Sequence, residues 1–392
     1  MKLAGNITAT GVATRRGRRH GRPRLLAPLL LACGVGGVVE ASSLAFFTLA
    51  GERFAFADPG RYVQPLERTR PHHRGFDAEL GWAPRFGTPF GERLRLTDYG
   101  APYMATFGDS HTFCDEVAGS ETWQTYLAQA VHADVLNFGV SGYGPDQALL
   151  RFRRLSGQVH TPVVSLGLGL ENINRIVNRY RPFYFPQTGL PLPKPRFTLE
   201  QGRLTLLPSP VSSVAELARL AEPGFVHELG HADFWYSRRG LPKRGFPYTA
   251  LLFDRAIWRQ ALDDGRRAAN DNNAQPRANL WRHGPAPALY FAIMDAFARE
   301  VRQVGSRPLF IIQPGRALVN ARRAERGIPG YNKVLGHCAA QGYDCFDGLD
   351  ALAGTGTTLE ELFQPGGHAS ARGNKLLASR LLRFLQARHA TP

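Results

Sequence analysis

One serine of the chain stands where it could act as a nucleophile. An apolar run, Tyr103–Phe107, ends in Gly108-Asp109-Ser110, and a helical pattern follows. A serine on a tight turn at the carboxyl end of a parallel strand occupies the place where open α/β sheets hold their ligands. Gly108 lets the chain turn sharply, and Asp109 can hydrogen-bond the local backbone. Gly-Asp-Ser also occurs in ordinary loops, but its position directly after a strand predicts nucleophilic chemistry at Ser110.

A second motif, His227-Glu228-Leu229-Gly230-His231, would carry a different chemistry. On a helix, His-Glu-x-x-His places two imidazoles on one face, where they can bind zinc with the glutamate as general base. Pro223-Gly224 just upstream permits only a short helix, and the sequence offers no obvious third ligand. Zinc proteolysis is therefore the less favoured alternative, and we expect no metal and no other cofactor.

The elements that must position Ser110 follow the pattern of a parallel α/β sheet. From Tyr103 onward, short apolar runs alternate with helical patterns, which is typical of strand–helix–strand units. The apolar runs predict strands at Tyr103–Phe107, Val135–Phe138, Val163–Leu168, Leu309–Ile312 and Tyr343–Phe346. Between about residues 185 and 287 prolines and asparagines interrupt the alternation. This stretch predicts an insertion that shapes the substrate site.

The segments before this domain predict a membrane anchor. Residues 1–24 form an arginine-rich tail, residues 25–50 an apolar run, and residues 51–102 a stalk rich in Pro, Gly and Arg that leads into a domain at 103–390. The apolar run is long enough to cross a bilayer. Glu40 near its middle is unfavourable in lipid unless protonated or paired. Basic residues before the run predict an inner-membrane protein with its amino terminus inside and its domain outside, in the periplasm.

Two other interpretations of the apolar run remain open. Leu30-Leu31-Ala32-Cys33 has the form of a lipobox, which would make Cys33 a lipidated amino terminus. Ala55-Phe56-Ala57 could be the cleavage site of a signal peptide, although it lies far beyond the run.

Composition narrows the class of partner. Apolar residues make up 43% of the chain, so a sizeable core can form, and the formal net charge is +16. A basic surface favours anionic glycans, anionic lipid headgroups or nucleic acid. No basic-aromatic motif or zinc knuckle points to nucleic acid, and we expect none to bind.

The run from Ala105 to Gln147 resembles the first two sequence blocks of the SGNH (GDSL-type) hydrolase family. The resemblance implies a flavodoxin-like three-layer α/β/α sandwich with a parallel sheet. It further implies Ser110 as nucleophile, with the N–H groups of Ser110 and Gly142 in an oxyanion hole. Asn172 best matches the family's oxyanion-hole asparagine, and Asn174 is the alternative.

The fourth block of the family matches the chain just before the last predicted helix. His368 fits the general base of the family, but the position three before it is Pro365, where the family has an aspartate. Asp347, at the end of the fifth predicted strand, is the carboxylate we expect to replace it. Without any replacement, a Ser110–His368 dyad would operate.

The resemblance also implies a function. Residues 171–186 look like a membrane-anchored bacterial subgroup that accompanies polysaccharide assembly. Arg175, Arg179 and Arg181 could bind an anionic substrate or could simply lie on a solvated helix face. We therefore expect an esterase or O-acyltransferase that acts on an acylated, most simply acetylated, envelope or secreted glycan. The alternative is a non-catalytic glycan-binding or assembly protein on the same fold, suggested by the missing aspartate.

Overall fold

The computed structural model describes residues 26–49, 59–84, 86–185, 188–237, 245–255, 257–258, 262, 280–282 and 284–388. The predicted basic tail at 1–24 and parts of the predicted insertion lie outside these residues. The described strands are, in chain order, β1 (Phe76–Asp77), β2 (Gly81–Trp82), β3 (Pro102–Gly108), β4 (Asp134–Gly139), β5 (Val163–Leu168), β6 (Arg196–Glu200), β7 (Arg203–Leu207), β8 (Arg307–Ile312) and β9 (Asp344–Asp347).

Helices occupy most of the remaining described chain. In chain order they are α1 (Leu26–Leu49), α2 (Leu66–Thr69), α3 (Ser110–Phe113), α4 (Trp123–Val131), α5 (Pro145–Leu155), α6 (Ile173–Ile176), α7 (Arg181–Tyr184), α8 (Pro223–His231), α9 (Phe234–Ser237), α10 (Tyr248–Leu252), α11 (Ala286–Gln303), α12 (Arg316–Arg323), α13 (Tyr331–Gln341), α14 (Gly348–Ala353), α15 (Leu359–Leu362) and α16 (Ala371–Ala387).

The central sheet is parallel throughout and has five strands in the order β4-β3-β5-β8-β9. Counted along the chain, this is the order 2-1-3-4-5 of flavodoxin-like folds. All five predicted strands are confirmed to within two residues at each end. They could be read from the sequence because strands covered on both faces become continuous apolar runs. The order reverses between β3 and β5, which is where such sheets bind ligands.

Helices cover both faces of the sheet. Phe310 of β8 packs against Phe297 of α11, whereas Phe346 of β9 packs against Phe384 of α16. Phe346 pairs in register with Ile311, the neighbour of Phe310. Since successive residues of a strand point to opposite faces, α11 and α16 lie on opposite faces of the sheet. The expected α/β/α sandwich is therefore confirmed.

The segment predicted as a stalk packs against the sandwich in its described part. Tyr62, Phe76, Leu80 and Trp82 are buried in the main core, and β1 and β2 form a short antiparallel hairpin. The Trp82 indole also donates to the Ser141 carbonyl at 3.0 Å. Four separated apolar residues among Pro, Gly and Arg leave no periodic pattern, so the sequence did not show that this segment belongs to the core.

The described part of the insertion is held by buried charged groups. The Asp233 carboxylate accepts hydrogen bonds from the side chain of Asn178 and from the backbone N–H groups of Arg179, Tyr180 and Trp235. A second, fully buried pair joins Lys194 to Asp146 at the start of α5. The first strands of the insertion, β6 and β7, form an antiparallel hairpin.

Helix α1 is long and apolar enough to cross a membrane, with a mean hydropathy of 1.8 over Ala27–Leu49. Its length and composition fit both a membrane-spanning helix and a signal sequence. Almost all of this stretch is exposed, and in the insertion it packs against α10 and against Ile257 and Trp258.

Candidate active site

Ser110 begins α3 directly after β3, at the carboxyl edge of the sheet where the strand order reverses. The Asp109 side chain caps this short helix by accepting from His111 N–H at 2.9 Å. The Asp109 carbonyl accepts from Phe113 N–H at 2.8 Å. The turn therefore fixes the backbone on both sides of Ser110, which remains 8% exposed.

The Ser110 hydroxyl and the His368 imidazole face each other, with Oγ 2.9 Å from Nε2. The other ring nitrogen, Nδ1, lies 2.6 Å from Oε2 of Glu116. A carboxylate can only accept, so Nδ1 carries the hydrogen and Nε2 is the acceptor for the serine O–H. The structure thus links a hydroxyl, an imidazole and a carboxylate in the order found in serine hydrolases.

Glu116 provides the carboxylate partner of His368, a group that Pro365, three residues before the histidine, lacks. It lies in the loop after α3 at a positive φ of 72°, a backbone conformation that non-glycine residues rarely adopt and that clusters at functional sites. Its Oε1 accepts from Gly366 N–H at 3.0 Å. A Cβ at position 366 would lie 2.5 Å from the Glu116 carboxylate oxygens, so only glycine there admits this approach.

The ionised form of Glu116 is favoured in the site. Burial raises the pKa of this carboxyl, but the hydrogen bonds from His368 and Gly366 outweigh it and hold the pKa below its usual value. A carboxylate in this position can orient the imidazole and stabilise it when it becomes charged.

Asp347 does not contact His368 in the structure, which corrects the expectation that it replaces the missing aspartate. Its Oδ1 caps α14 by accepting from Asp350 N–H at 3.0 Å, and its Oδ2 accepts from the Tyr331 hydroxyl. One carboxylate oxygen is thus bonded to α14 and the other to α13.

Gly142 and Asn172 lie on the two loops that flank the serine turn. Gly142 has φ +84°, and a Cβ there would lie 2.7 Å from the Arg181 guanidinium. The Asn172 side-chain N–H donates to Asp109 at 2.8 Å. This bond connects Asn172 to the residue before Ser110, and the amide nitrogen carries a second hydrogen.

Asn174, the alternative asparagine, contacts the insertion through its backbone. Its backbone carbonyl accepts from the Trp235 indole N–H at 2.8 Å. Of the two predicted candidates, Asn172 is therefore the one joined to the serine turn.

The three arginines that could bind an anionic substrate differ in their surroundings. Arg175 lies beside the serine turn: its Nη1 donates to the Tyr143 carbonyl at 2.8 Å and is 3.6 Å from the Asp109 carboxylate. The Arg179 guanidinium donates to the Pro208 carbonyl at 2.9 Å. The contacts of Arg179 lie in the insertion. The Arg181 guanidinium donates instead to the Gly142 carbonyl at 3.1 Å.

His111, the residue after Ser110, also lies in the site, beside His368. Its ring centroid is 4.8 Å from that of His368. Burial lowers the pKa of His111, although the nearby Asp109 carboxylate opposes this shift. His111 therefore favours the neutral form and adds no positive charge beside the His368 imidazole.

The two histidines of the zinc motif lie on α8, away from these contacts. Their Nε2 atoms are 3.2 Å apart, and Nδ1 of His227 lies 2.9 Å from the Tyr236 hydroxyl. In the part of the chain that the structure describes, no group of three or more His, Cys, Asp or Glu side chains could hold a metal ion.

No protein-family model matches the chain, and no curated protein matches its sequence. Solved structures with which it aligns include a protein described as lipolytic, of the G-D-S-L family, from Desulfitobacterium hafniense DCB-2, at 11% identity over 72% of this chain and 99% of that chain, with a TM-score of 0.37. Another is TesA, at 14% identity over 73% and 98% with a TM-score of 0.37. A third is a member of the lipolytic protein G-D-S-L family from Veillonella parvula DSM 2008, at 10% identity over 72% and 97% with a TM-score of 0.35.

Proposed function

We propose that the chain is a serine esterase that hydrolyses or transfers an acyl group through a covalent intermediate on Ser110. The observation that carries the proposal is the connected series of Ser110 Oγ, His368 and Glu116, with separations of 2.9 and 2.6 Å. Both lie within the range in which a base can take the proton of a nucleophile. The alternative of a non-catalytic protein rested on the missing aspartate, and Glu116 offers a carboxylate in its place.

In the first step, Ser110 Oγ attacks the carbonyl carbon of the ester while its proton passes to His368 Nε2. The imidazolium that forms is stabilised by Glu116, which accepts from Nδ1–H. When the tetrahedral intermediate collapses, the carbon–oxygen bond to the alcohol breaks and His368 returns the proton to the leaving oxygen. The acyl group is then an ester of Ser110.

The developing oxyanion needs donors that are already oriented. The N–H groups of Ser110 and Gly142 and the second amide hydrogen of Asn172 would supply them, as the sequence resemblance implies. Asp109 supports this arrangement, because it holds the first amide hydrogen of Asn172. Removal of one such donor typically lowers kcat about 10²–10³-fold.

The acceptor in the second step decides the reaction class. Water, deprotonated by His368, gives hydrolysis, and a sugar hydroxyl gives transfer. We propose an O-acylated, most simply O-acetylated, envelope or secreted glycan as substrate. The support is the subgroup resemblance of residues 171–186 and the guanidinium groups of Arg175 and Arg181 beside the serine turn. In the same proposal α1 anchors the chain in the inner membrane with the catalytic domain outside.

The test is covalent labelling of the purified full chain in detergent with a fluorophosphonate, read by intact mass, together with turnover of p-nitrophenyl acetate. We expect one adduct on the wild type and none on Ser110→Ala. The matched control is Ser379→Ala on α16, whose hydroxyl donates to the Lys375 carbonyl and which should label as the wild type does. Adduct formation that survives Ser110→Ala, or a wild type that neither labels nor turns over ester, would refute the proposal.

Incubation of the enzyme with an O-acetylated polysaccharide separates the two reaction classes. Free acetate marks an esterase, and acetyl groups appearing on an added oligosaccharide mark a transferase. If p-nitrophenyl acetate is turned over but neither product forms on any acetylated glycan, the esterase stands and the glycan part of the proposal fails.

A further inference from the structure

A carboxylate lies deep in the apolar helix α1. Glu40 is nine residues before the last residue of the helix, Leu49, which at 1.5 Å per residue is about 14 Å along its axis. If α1 spans a bilayer with a hydrocarbon core of about 30 Å, Glu40 lies near the middle of that core. An ionisable group there is tolerated when it has a partner within the protein.

The partner is the amino-terminal end of α10, in the insertion. Oε2 of Glu40 accepts from the backbone N–H and the hydroxyl of Thr249, at 2.9 and 2.6 Å. Oε1 accepts from the backbone N–H of Tyr248. These are the first N–H groups of α10, which have no partner inside their own helix. Glu40 thus satisfies donors that would be unfavourable in lipid.

The other end of α10 is satisfied as well. The Trp258 indole N–H donates to the Leu252 carbonyl at 2.7 Å. The backbone N–H groups of Phe253 and Asp254 donate to the Ala250 and Leu251 carbonyls. Non-helical backbone at membrane depth is tolerated where its polar groups are bonded within the protein.

The apolar side chains of α10 and its neighbouring residues fall into two sets, one facing the protein and one facing outward. Leu251 and Ile257 are buried with Phe47 of α1 in a cluster separate from the main core. Phe246 and Phe253 point outward, with exposed fractions of 82% and 81%. Helix α1 is itself almost entirely exposed and apolar. The two exposed aromatic rings beside it extend the apolar surface of α1.

We propose that α10 and the described residues around it, 245–255 and 257–258, form a second membrane-embedded element, docked on α1 through Glu40, whose Phe246 and Phe253 side chains contact lipid acyl chains. The proposal rests on the part of the proposed function that makes α1 a membrane span, and not on the serine chemistry. The catalytic domain is then attached to the bilayer at two points and is held at the membrane surface instead of moving on a linker.

The test uses the full chain reconstituted in phosphatidylcholine vesicles, with and without phosphatidylcholine brominated on its acyl chains. Phe253→Trp places a fluorophore on the proposed lipid-facing surface, and Val304→Trp, at the exposed end of α11, is the matched control. We expect brominated lipid to quench the added fluorescence of Phe253→Trp at least twofold and to leave that of Val304→Trp unchanged. Equal quenching of both variants, or of neither, would overturn the proposal.

Glu40→Leu tests the docking contact without making α1 less apolar. In the Phe253→Trp background it should reduce the quenching to the control value, while Glu40→Gln should keep part of it. Unchanged quenching in Glu40→Leu would show that Glu40 does not hold the segment, against the proposal. If a second copy of the chain covers the aromatic rings instead, the Phe253→Trp fluorescence will resist brominated lipid and depend on the protein-to-lipid ratio.

Alkaline carbonate extraction distinguishes this failure from that of the anchor. A chain that carbonate removes from the vesicles would overturn both the span and the embedded segment. A chain that stays in the vesicles but shows no quenching would overturn the embedded segment alone. Fluorophosphonate labelling of Ser110 is read separately and is affected by neither outcome.

Discussion

The edge of the sheet that carries Ser110 and the insertion each contain a carboxylate that accepts hydrogen bonds from irregular backbone. These carboxylates are Glu116 and Asp233, and their pKa values are shifted in opposite directions. Glu116 is one-third exposed, and its hydrogen bonds lower the pKa despite the opposing effect of burial. Asp233 is buried, and burial raises its pKa although backbone N–H groups of Arg179, Trp235 and Tyr180 oppose the shift. The hydrogen bonds thus favour the charged form of the partly exposed Glu116, whereas burial disfavours the charged form of Asp233.

The two carboxylates therefore respond differently to acid. The folded pKa of Glu116 lies below its unfolded value, so its contribution to stability is present above about pH 4.3 and is lost as the pH falls through the folded pKa. The folded pKa of Asp233 lies above its unfolded value of about 3.9, so its contribution is fully present below that pH and is lost as the pH rises through the folded pKa. Acid should weaken the catalytic contacts before it weakens the insertion.

The largest expected effect is at the catalytic edge. His368→Ala removes the group that takes the serine proton, and turnover of p-nitrophenyl acetate should fall on the order of 10⁴–10⁶-fold. Thermal melting should change little, because the loop is also closed by the hydrogen bond from Gln364 N–H to the carbonyl of residue 368, at 2.8 Å. A loss of less than tenfold would remove His368 from the mechanism.

A change in the insertion should act on stability instead of chemistry. Asp233→Asn turns one acceptor oxygen into a donor that faces a backbone N–H, which should lower the free energy of unfolding by about 1–3 kcal/mol. Denaturant titration measures this, with the exposed Asp98→Asn as a control expected within about 0.5 kcal/mol of the wild type. Turnover lost by Asp233→Asn as severely as by His368→Ala would contradict the division between the two regions.

Restoring the aspartate of the family pattern should have a small effect. The imidazole Nδ1–H of His368 already donates to Glu116, so the new carboxylate in Pro365→Asp could only compete for the same hydrogen. We therefore expect turnover within about twofold of the wild type. A tenfold rise would show that Glu116 supports His368 poorly.

Removal of metal should have the smallest effect of all. Chelator treatment should leave esterase turnover and labelling intact, because none of the described contacts of Ser110, His368 and Glu116 involves His227 or His231. Metal analysis of wild type and His227→Ala provides the check. One tightly bound zinc that disappears together with activity in His227→Ala would replace the serine mechanism.

The alternation of apolar runs predicted the parallel α/β sheet, and the resemblance to the SGNH hydrolase family implied the sandwich and the roles of Ser110 and His368. Both inferences depend on local sequence patterns. The five strands are continuous apolar runs, Ser110 follows the first of them directly, and His368 precedes the last helix. Glu116 leaves no such pattern. Glu116 follows Cys114 and Asp115 in the sequence, and it forms a hydrogen bond with His368, which lies 252 residues further along the chain. The one local trace is Gly366, whose missing side chain makes room for the carboxylate.

Glu40 was noticed in the sequence, but its partner was not. The sequence shows a carboxylate that is unfavourable in an apolar helix. It does not show which groups bind this carboxylate, because the N–H groups that do so lie 208 and 209 residues further along the chain. Pairings between distant loops follow from the packing of the whole domain, and a single sequence does not display them.

Turnover of Glu116→Gln compared with Asp347→Asn tests the central claim most directly. Glutamine keeps the shape of Glu116 but loses the charge that stabilises the imidazolium, so turnover should fall about 10²–10⁴-fold, as for the equivalent change in serine proteases, with the melting temperature nearly unchanged. Asp347→Asn should keep turnover within about threefold and lose stability instead, because it weakens the α14 cap and the bond from Tyr331. Full activity in Glu116→Gln, or an equally large loss in Asp347→Asn, would contradict the assignment of Glu116 as the carboxylate of the site.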